Sequence, residues 1–417
     1  MLQAYRDAAP LLALGVLLAV AYLHPKGRYE ALAGVGGAAL ALSTGALGLQ
    51  ALRTELGRLL PVVVFLLAIL VVAETCRAEE LFSAVGARLA LRGDARSLLL
   101  LVVVVAALVT VALSLDATVV LFTPVVIAAA AAARVASRPA ELACVRMANS
   151  ASLLLPVSNL TNLLALPHLS LSFGGFLLRM APSWVAVVAV EYGVLRWLCR
   201  GDLGRRTRAA EGVPEMLPPL PRVPLVAIAL MLCSFGVTSA FGVQPVWTAV
   251  LAALALGGYS LGRRRATATE LVRSAHVPFG IFVLGLGVVV AALARTWLGA
   301  SVRDLVPGGD GLLALLGVAV LGGLLANLLN NLPATLLVVP MVAPLGATAV
   351  LGLLVGINVG SSLTWTGSLA NLLWRRSLAR SGGQSSGRDF HRVSLVSTPV
   401  AVVVGVVVLW FWAGVLG

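Results

Sequence analysis

The chain has 417 residues, of which 60% are hydrophobic and 11% charged, with a mean hydropathy of +1.01 and a formal net charge of +13. Soluble globular proteins carry about 45–50% apolar and about 25% charged residues. The composition therefore excludes a soluble globule and predicts a polytopic membrane protein. The positive charge comes almost entirely from arginine, and we interpret it as a signal of membrane topology rather than of nucleic-acid binding.

Ten apolar segments are predicted to cross the membrane as helices. A crossing helix needs ~20 mainly apolar residues, because backbone groups in lipid must be hydrogen-bonded within the segment. In chain order the predicted crossings are 10–23, 31–50, 59–76, 141–166, 181–198, 223–241, 246–261, 277–293, 349–378 and 393–416. The amphipathic segment 78–92 is predicted to lie along the cytoplasmic interface, and the Ser- and Gly-rich segment 380–392 is predicted to be a flexible loop.

Two further apolar segments, 97–133 and 311–345, are interrupted at their centres by polar residues. The second also contains Pro333, which removes a backbone donor and clashes with the preceding helical turn. Each segment is predicted to be a re-entrant hairpin that enters and leaves the membrane by the same face.

The distribution of Lys and Arg supports this topology. With both hairpins re-entrant, 24 of these residues, Arg146 among them, fall on one face and six on the other. The positive-inside rule assigns the richer face to the cytoplasm. If either hairpin crossed the membrane, everything after it would change sides and the asymmetry would collapse.

The predicted fold is an all-α polytopic membrane protein made of two inverted repeats, 1–200 and 223–417, joined by a cytoplasmic linker, 201–222. Each repeat has five crossings and one hairpin, and this odd number of crossings turns the second repeat upside down. Broken helices are predicted at mid-membrane in both repeats, in the segments 158–162 and 358–371. Paired polar breaks in matching halves indicate a transporter's substrate site.

The polar breaks resemble each other in sequence. Ser158–Leu164 and Gly367–Leu373 share four of seven residues, and each hairpin has an Ala-Thr pair before an apolar run that ends in proline. Carboxamide and hydroxyl side chains at these breaks can either bind a substrate or only join helices; their repetition favours binding. The predicted substrate-binding residues are Ser114, Thr118, Ser158, Asn159, Thr161, Asn162, Asn327, Asn330, Asn331, Thr364, Thr366, Ser368 and Asn371.

Two acidic residues are candidates for proton coupling. Asp116 lies at the tip of the first hairpin, where a carboxylate costs at least ~2.5–3.5 kcal/mol and by default marks an ion or proton pathway. An alternative role for Asp116 is to cap the hairpin's second helix. Glu191, near the middle of the crossing 181–198, is the second candidate. It has an equally weighted alternative, pairing with Arg196 or packing at a helix interface.

Other chemistry is not indicated. The four cysteines lack the spacing of a zinc site or a disulfide framework, the histidines fall near span ends, and no motif of a hydrolase is present. We therefore expect no enzyme activity, no metal, no cofactor and no nucleic-acid partner. The glycine-rich run 34–37 is interpreted as a site of close helix packing.

The chain resembles the ArsB-type arsenite/antimonite permeases of the ion transporter superfamily along nearly its whole length. The segments that carry the resemblance are 114–118 through 123–124, 157–162, 330–333, 360–364 and 367–374. The resemblance implies export of trivalent arsenic and antimony across the cell membrane, driven by the proton gradient or by a partner ATPase. One departure is Leu115, where the family commonly has Asn before the Asp.

The residues agree with that substrate. Arsenite at neutral pH is mainly an uncharged trihydroxide. A pocket of Asn, Ser and Thr with no buried Arg or Lys fits this neutral molecule better than it fits a dicarboxylate. Thiolate ligation is not expected, since the cysteines lie in four different segments. The prediction is a proton-coupled exporter with Asp116 as the proton carrier. The alternative is a sodium/proton antiporter of the same superfamily, with sodium bound at Asp116.

Overall fold

The computed structural model describes residues 2–23, 27–43, 45, 47–91, 94–204 and 217–416, and these residues form helices and turns without a β-strand. Within them, ten helices are long and apolar enough to span a membrane. The predicted all-α polytopic fold is confirmed. Most of the predicted linker, residues 205–216, lies outside the described residues.

The first half contains three long helices, a short amphipathic helix, a hairpin, a broken helix and another long helix. In chain order these are α1 (Leu2–Leu23), α2 (Gly27–Ser43), α3 (Leu49–Ala78), α4 (Leu81–Ala90), hairpin 1 (α5, Ala95–Leu113; α6, Leu115–Ala117; a π-helical turn, Thr118–Phe122; α7, Thr123–Ala132), broken helix 1 (α8, Arg138–Ser150; α9, Leu160–Ala165) and α10 (Phe173–Leu198).

The second half follows a closely similar order. Its elements are α11 (Arg222–Ala240), α12 (Pro245–Gly262), α13 (Ala268–Ser274), α14 (Val277–Leu293), α15 (Trp297–Asp304), hairpin 2 (α16, Leu312–Leu329; α17, Asn331–Val342), broken helix 2 (α18, Ala347–Gly360; α19, Leu369–Arg380) and α20 (Gly387–Leu416). The two halves thus present a hairpin, a broken helix and a long helix in the same sequence of elements.

The boundary between the second and third predicted crossings is wrong. We expected the second crossing to reach residue 50 and the third to begin at residue 59, but α2 ends at Ser43 and α3 already begins at Leu49. Arg53 and Arg58 therefore lie within a helix rather than in a loop. Arginine is a good helix former, and its long side chain can reach the polar region from inside a helix.

Each hairpin turns at one residue with an unusual backbone conformation. Ser114 has φ 93° and ψ 165°, and Asn330 has φ 76° and ψ 157°. Residues other than glycine rarely adopt these angles, and such outliers concentrate at functional sites. The second arm folds back against the first in both hairpins, and in hairpin 1 the Thr110 and Thr118 hydroxyls meet across the turn at 2.7 Å.

The helices pack into two bundles, each drawing on both halves. The scaffold bundle consists of α1–α3 and α11–α14, in which α2 packs on α14 and α3 on α12. The core bundle consists of both hairpins, both broken helices, α10 and α20, in which α16 packs on α18 and α10 on α20. All polar breaks of the chain's hairpins and broken helices lie in the core bundle.

The segment 380–392 is held in place, so its prediction as a flexible loop is wrong. The buried carboxylate of Glu141 accepts hydrogen bonds from the backbone N–H groups of Gln384 and Ser385, at 2.7–3.1 Å. Arg138 forms an ion pair with Asp389 at 2.8 Å. Ser and Gly residues predict flexibility only when nothing binds their backbone, and here α8 supplies the acceptor.

Close approach of helices depends on glycine at two places. A Cβ on Gly285 of α14 would lie 2.2 Å from the carbonyl oxygen of Gly34 in α2, which confirms the interpretation of the run 34–37 for Gly34. A Cβ on Gly356 of α18 would lie 1.9 Å from the carbonyl oxygen of Ala319 in α16. Small residues permit such contact, and membrane helices rely on it because lipid provides no hydrophobic driving force between them.

Replacing Gly356 with alanine is expected to destabilise the protein by about 1–3 kcal/mol, because α16 and α18 must move apart to admit the methyl group. Gly258→Ala in α12 is the matched control, since a Cβ there meets no heavy atom within 4 Å, and alanine has the higher helix propensity. Thermal unfolding of the two purified variants tests this. Equal melting temperatures would show that the two helices do not approach so closely.

Candidate functional site

The two broken helices restart with the same geometry. Asn159 precedes α9 with φ −147° and ψ 141°, and Ser368 precedes α19 with φ −145° and ψ 142°. Their side-chain oxygens accept hydrogen bonds from the backbone N–H groups of Thr161 and Ala370, at 3.1 and 3.2 Å. Each second arm therefore begins with a side-chain cap, which satisfies a donor that the break leaves free.

An asparagine one turn into each second arm closes its own break. Asn162 donates to the carbonyl oxygens of Ser152 and Leu155 at 2.7 and 2.9 Å. Asn371 donates to the carbonyl oxygens of Ser361 and Thr364 at 3.0 and 2.8 Å. Carbonyls released by unwinding the helices thus find donors inside the protein, as unwound backbone at membrane depth requires.

The two broken helices also bind each other reciprocally. Asn358 of α18 donates to the side-chain oxygen of Asn162 at 2.7 Å, and Asn149 of α8 donates to the side-chain oxygen of Asn371 at 2.8 Å. All four residues are fully buried. We call Asn149, Asn162, Asn358 and Asn371 the asparagine clasp. Each half contributes the donor of one pair and the acceptor of the other.

Hairpin 2 is joined to the break of broken helix 2 by its own asparagines. Asn327 accepts hydrogen bonds from the N–H and hydroxyl groups of Thr364 at 3.0 and 2.8 Å and donates to the carbonyl of Gly360 at 2.9 Å. Asn330 donates to the carbonyl of Thr366 at 3.0 Å. Asn327, Asn330, Thr364 and Thr366 therefore form one connected network.

Hairpin 1 approaches the clasp from the other side. Its tip segment, α6, packs against both α8 and α19, and the buried hydroxyl of Ser158 donates to the carbonyl of Val111 at 3.0 Å. Asp116 lies in the first turn of α6 and is half-buried. The second arm of each hairpin packs against the broken helix of the other half. In hairpin 1, α7 packs on α19, and in hairpin 2, α17 packs on α9.

A buried ion pair lies one turn from the clasp. The guanidinium of Arg146 donates to both carboxylate oxygens of Glu191, at 2.8 and 2.6 Å. It also donates to the carbonyl of Ser362 and the hydroxyls of Ser394 and Thr398, at 3.0–3.3 Å. The side chains of Arg146 and Glu191 are 1% and 0% exposed. These contacts use all five N–H donors of a guanidinium.

This pair corrects three expectations. Arg146 is inside the bundle rather than on the cytoplasmic face, the core does contain a buried arginine, and the partner of Glu191 is Arg146 rather than Arg196. Arg196 donates instead to the hydroxyl of Tyr192 at 3.1 Å. A guanidinium can be buried when a counter-charge and enough acceptors surround it, and here these come from three other elements that sequence order does not bring together.

The structure brings most of the predicted residues together and adds others. Around the clasp and the breaks lie Ser158, Asn159, Thr161, Asn162, Asn327, Asn330, Thr364, Thr366, Ser368 and Asn371. Thr118 contacts Thr110 in hairpin 1, and the backbone carbonyl of Asn331 accepts a hydrogen bond from the hydroxyl of Thr335 within α17. Sequence analysis missed Asn149 and the partner role of Asn358. Asn149 precedes Asn162 by the same number of residues as Asn358 precedes Asn371, and this equal spacing could have indicated both residues.

Three buried polar atoms near α8 have no hydrogen-bond partner among the described residues: the hydroxyls of Ser114 and Ser362 and the side-chain oxygen of Asn149. Buried polar groups are nearly always paired, so unpaired ones call for an explanation. Elsewhere, a cavity of about 530 Å³ opens between α3, α14 and α17, and an adjoining cavity of about 560 Å³ opens between α3 and α14. They share Glu55 and Arg295 in their linings. In the described part of the chain, no group of three His, Cys, Asp or Glu residues could hold a metal ion.

Comparisons with known proteins agree with this architecture. A family model described as citrate transporter (CitMHS) matches residues 8–352. The arsenical pump membrane protein of Escherichia coli is 26% identical over 401 residues, covering 90% of this chain and 92% of that protein. An uncharacterized transporter of Mycobacterium tuberculosis is 26% identical over 381 residues, covering 85% and 87%.

Among solved structures, the YdaH transporter of Alcanivorax borkumensis, described as having an unusual topology, matches with a TM-score of 0.53 and 16% identity, over 88% of this chain and 90% of that one. That likeness shows the fold. The predicted resemblance to the arsenical pump proteins is confirmed by the sequence matches. Because the family model covers most of its length, the chain belongs to the citrate transporter (CitMHS) family and is a multi-pass membrane transporter.

Proposed function

We propose that this transporter exports arsenite and antimonite as neutral trihydroxides in exchange for protons. The observation that carries the proposal is the chemistry of the breaks. The polar groups at the breaks are carboxamides, hydroxyls and backbone groups, and all five N–H donors of the nearby buried cation, Arg146, are bound to protein acceptors. The names of the arsenical pump relatives point to the same substrates.

A neutral trihydroxide fits such a lining. Each hydroxyl of the substrate can both donate and accept a hydrogen bond, and an asparagine side chain offers both a donor and an acceptor. A carboxylate such as citrate would need a positive charge that is not already paired, because burying an anion without a partner costs free energy. Arg146 does not offer that charge, since Glu191 already neutralises it.

Asp116 is the proposed proton carrier. It sits at the tip of hairpin 1, on a segment that packs against α8 and α19, which carry Asn149 and Asn371. Glu191 is the weaker candidate, because its carboxylate is held by Arg146 and by the hydroxyl of Ser150 at 2.8 Å. The carboxylate of Glu191 already serves as the counter-charge of Arg146.

Alternating access is proposed to come from rigid-body movement of the core bundle's hairpins and broken helices between two inverted repeats. The reciprocal contacts of the asparagine clasp support this, because a two-fold relation between halves makes every contact occur twice with the roles exchanged. The cavity beside α17 is suited to be part of the access path on one side of the membrane.

Transport assays in everted membrane vesicles test the proposal. Arsenite or antimonite should move protons in the absence of sodium, whereas citrate should not. Proton movement that depends on sodium alone would establish the sodium/proton antiporter instead. Proton movement driven by citrate would assign the chain a carboxylate substrate and overturn the argument from the neutral lining.

Asp116→Asn is expected to abolish proton-coupled export, because the carboxamide cannot release and rebind a proton. Cells that express the variant should lose resistance to arsenite and antimonite while keeping normal membrane abundance. Resistance equal to that of the wild type would remove Asp116 from the coupling mechanism.

Glu191→Gln is expected to destabilise the protein by about 3–5 kcal/mol, because it leaves Arg146 buried without a counter-charge. The double variant Arg146→Met, Glu191→Leu should recover most of that stability. Thermal unfolding of the single and double variants checks this. A Glu191→Gln protein with unchanged stability but no proton coupling would instead make Glu191 the proton carrier.

A further inference from the structure

The two ends of the asparagine clasp are built differently. Equal numbers of residues separate Asn149 from Asn162 and Asn358 from Asn371, so positions in the two broken helices correspond one to one. In this correspondence Asn159 matches Ser368 and Thr161 matches Ala370. At one end of the clasp, these two exchanges replace the amide of Asn159 by a shorter hydroxyl and leave no counterpart to the hydroxyl of Thr161.

At the end nearer hairpin 2, the side-chain oxygen of Asn358 is fully occupied. It accepts hydrogen bonds from the hydroxyl of Thr161 at 2.6 Å and from the amide of Asn159 at 3.2 Å. Its amide donates to Asn162 at 2.7 Å. This end of the clasp satisfies itself with protein groups.

At the end nearer hairpin 1, the corresponding oxygen of Asn149 has no donor among the described residues. Ala370 has no hydroxyl, and the hydroxyl of Ser368, which accepts the N–H of Ala370, makes no hydrogen bond to Asn149. The orientation of Asn149 is settled by Asn371, whose amide is bound to two carbonyls and whose oxygen therefore requires the amide of Asn149. The oxygen of Asn149 thus remains as a buried, unused acceptor.

Two other unused groups occur at this end. The hydroxyl of Ser114, which is 8% exposed, lies at the turn of hairpin 1, and the hydroxyl of Ser362 lies in the break of broken helix 2. Both flank segments that pack against α8, the helix of Asn149. Asp116 follows Ser114 by two residues in the tip that packs on the same helix.

We propose that the substrate binds at the hairpin 1 end of the clasp, with one of its hydroxyl groups donating to the side-chain oxygen of Asn149. That hydroxyl takes the place that the hydroxyl of Thr161 holds against Asn358 at the other end. The hydroxyls of Ser114 and Ser362 supply further hydrogen bonds, and the hairpin 2 end holds the breaks together without binding substrate. The inference rests on the proposed function and names the substrate-binding position within it.

This arrangement places the substrate beside the proposed proton carrier. The tip that carries Asp116 packs on α8 and α19, which hold Asn149 and Asn371. A change in the charge of Asp116 would then alter the potential at the position where the substrate's hydroxyls bind. The same tip would couple proton binding to substrate release.

The test introduces a protein hydroxyl that can donate a hydrogen bond to the side-chain oxygen of Asn149. Ala370→Thr places a hydroxyl where Thr161 has one in the other half, so that it can donate to Asn149. Arsenite and antimonite export should fall by about tenfold or more, the equivalent of one lost hydrogen bond of ~1.4 kcal/mol. The melting temperature should stay the same or rise, since a buried acceptor gains a partner. Ala379→Thr, at an exposed position on the same helix, is the matched control and should transport as the wild type does.

Ser368→Asn provides a second route to the same acceptor. The asparagine can keep the cap of α19, as Asn159 does for α9, and reach Asn149 with its amide. Binding is measured on purified protein by the shift in melting temperature with arsenite or antimonite. This shift should disappear in Ser368→Asn and in Ala370→Thr and persist in Ala379→Thr. If Ala370→Thr fails to fold, the Ser368→Asn protein decides the question.

The outcomes separate the inference from the proposed function. A wild-type protein that neither binds nor exports arsenite and antimonite would overturn the function itself. A wild-type protein that does both, together with a folded Ala370→Thr or Ser368→Asn protein that binds and exports equally well, would show that the oxygen of Asn149 is not the substrate's acceptor.

Discussion

The core bundle depends on one constraint: a helix that unwinds inside a membrane must find hydrogen-bond partners for the groups that it frees. This protein unwinds two helices, and asparagine side chains supply the partners. Asn162 and Asn371 each bind two carbonyls of their own break, and Asn358 and Asn149 then bind them from the opposite helix. The same four asparagines therefore satisfy the unwound backbone of each break and join the two broken helices to each other.

The surroundings of the clasp serve this arrangement. Gly356 lets α16 lie against α18, so that Asn327 at the end of α16 reaches the carbonyl of Gly360 and the hydroxyl of Thr364. On the other side, Arg146 links α8 to α10, to α20 and to the carbonyl of Ser362. A close helix contact and a buried ion pair thus fix the two helices from which the broken segments start.

The near-symmetry of the clasp makes its differences informative. Where Asn159 and Thr161 satisfy Asn358, their counterparts Ser368 and Ala370 leave the oxygen of Asn149 unused. The ion pair is also present on one side only, because the position that corresponds to Arg146 is Val355. Two similar halves thus differ in function under our proposal: protein groups satisfy one end of the clasp, and the substrate binds at the other.

Much of this architecture could be predicted from the sequence because it has a local cause. The apolar runs indicated where helices form, and the polar residues inside them, such as Asn330 and Ser158, marked where helices break. The repeated Asn in 158–164 and 367–373 marked the two residues that close the breaks. What the tertiary structure alone decided is which groups meet. Arg146 and Glu191 are 45 residues apart in the chain, and Asn149 meets Asn371 from the other half of the chain. Periodicity and composition report the environment of a segment but not its distant neighbours. The sequence therefore placed Arg146 on the cytoplasmic face, and only the structure shows its buried partner Glu191.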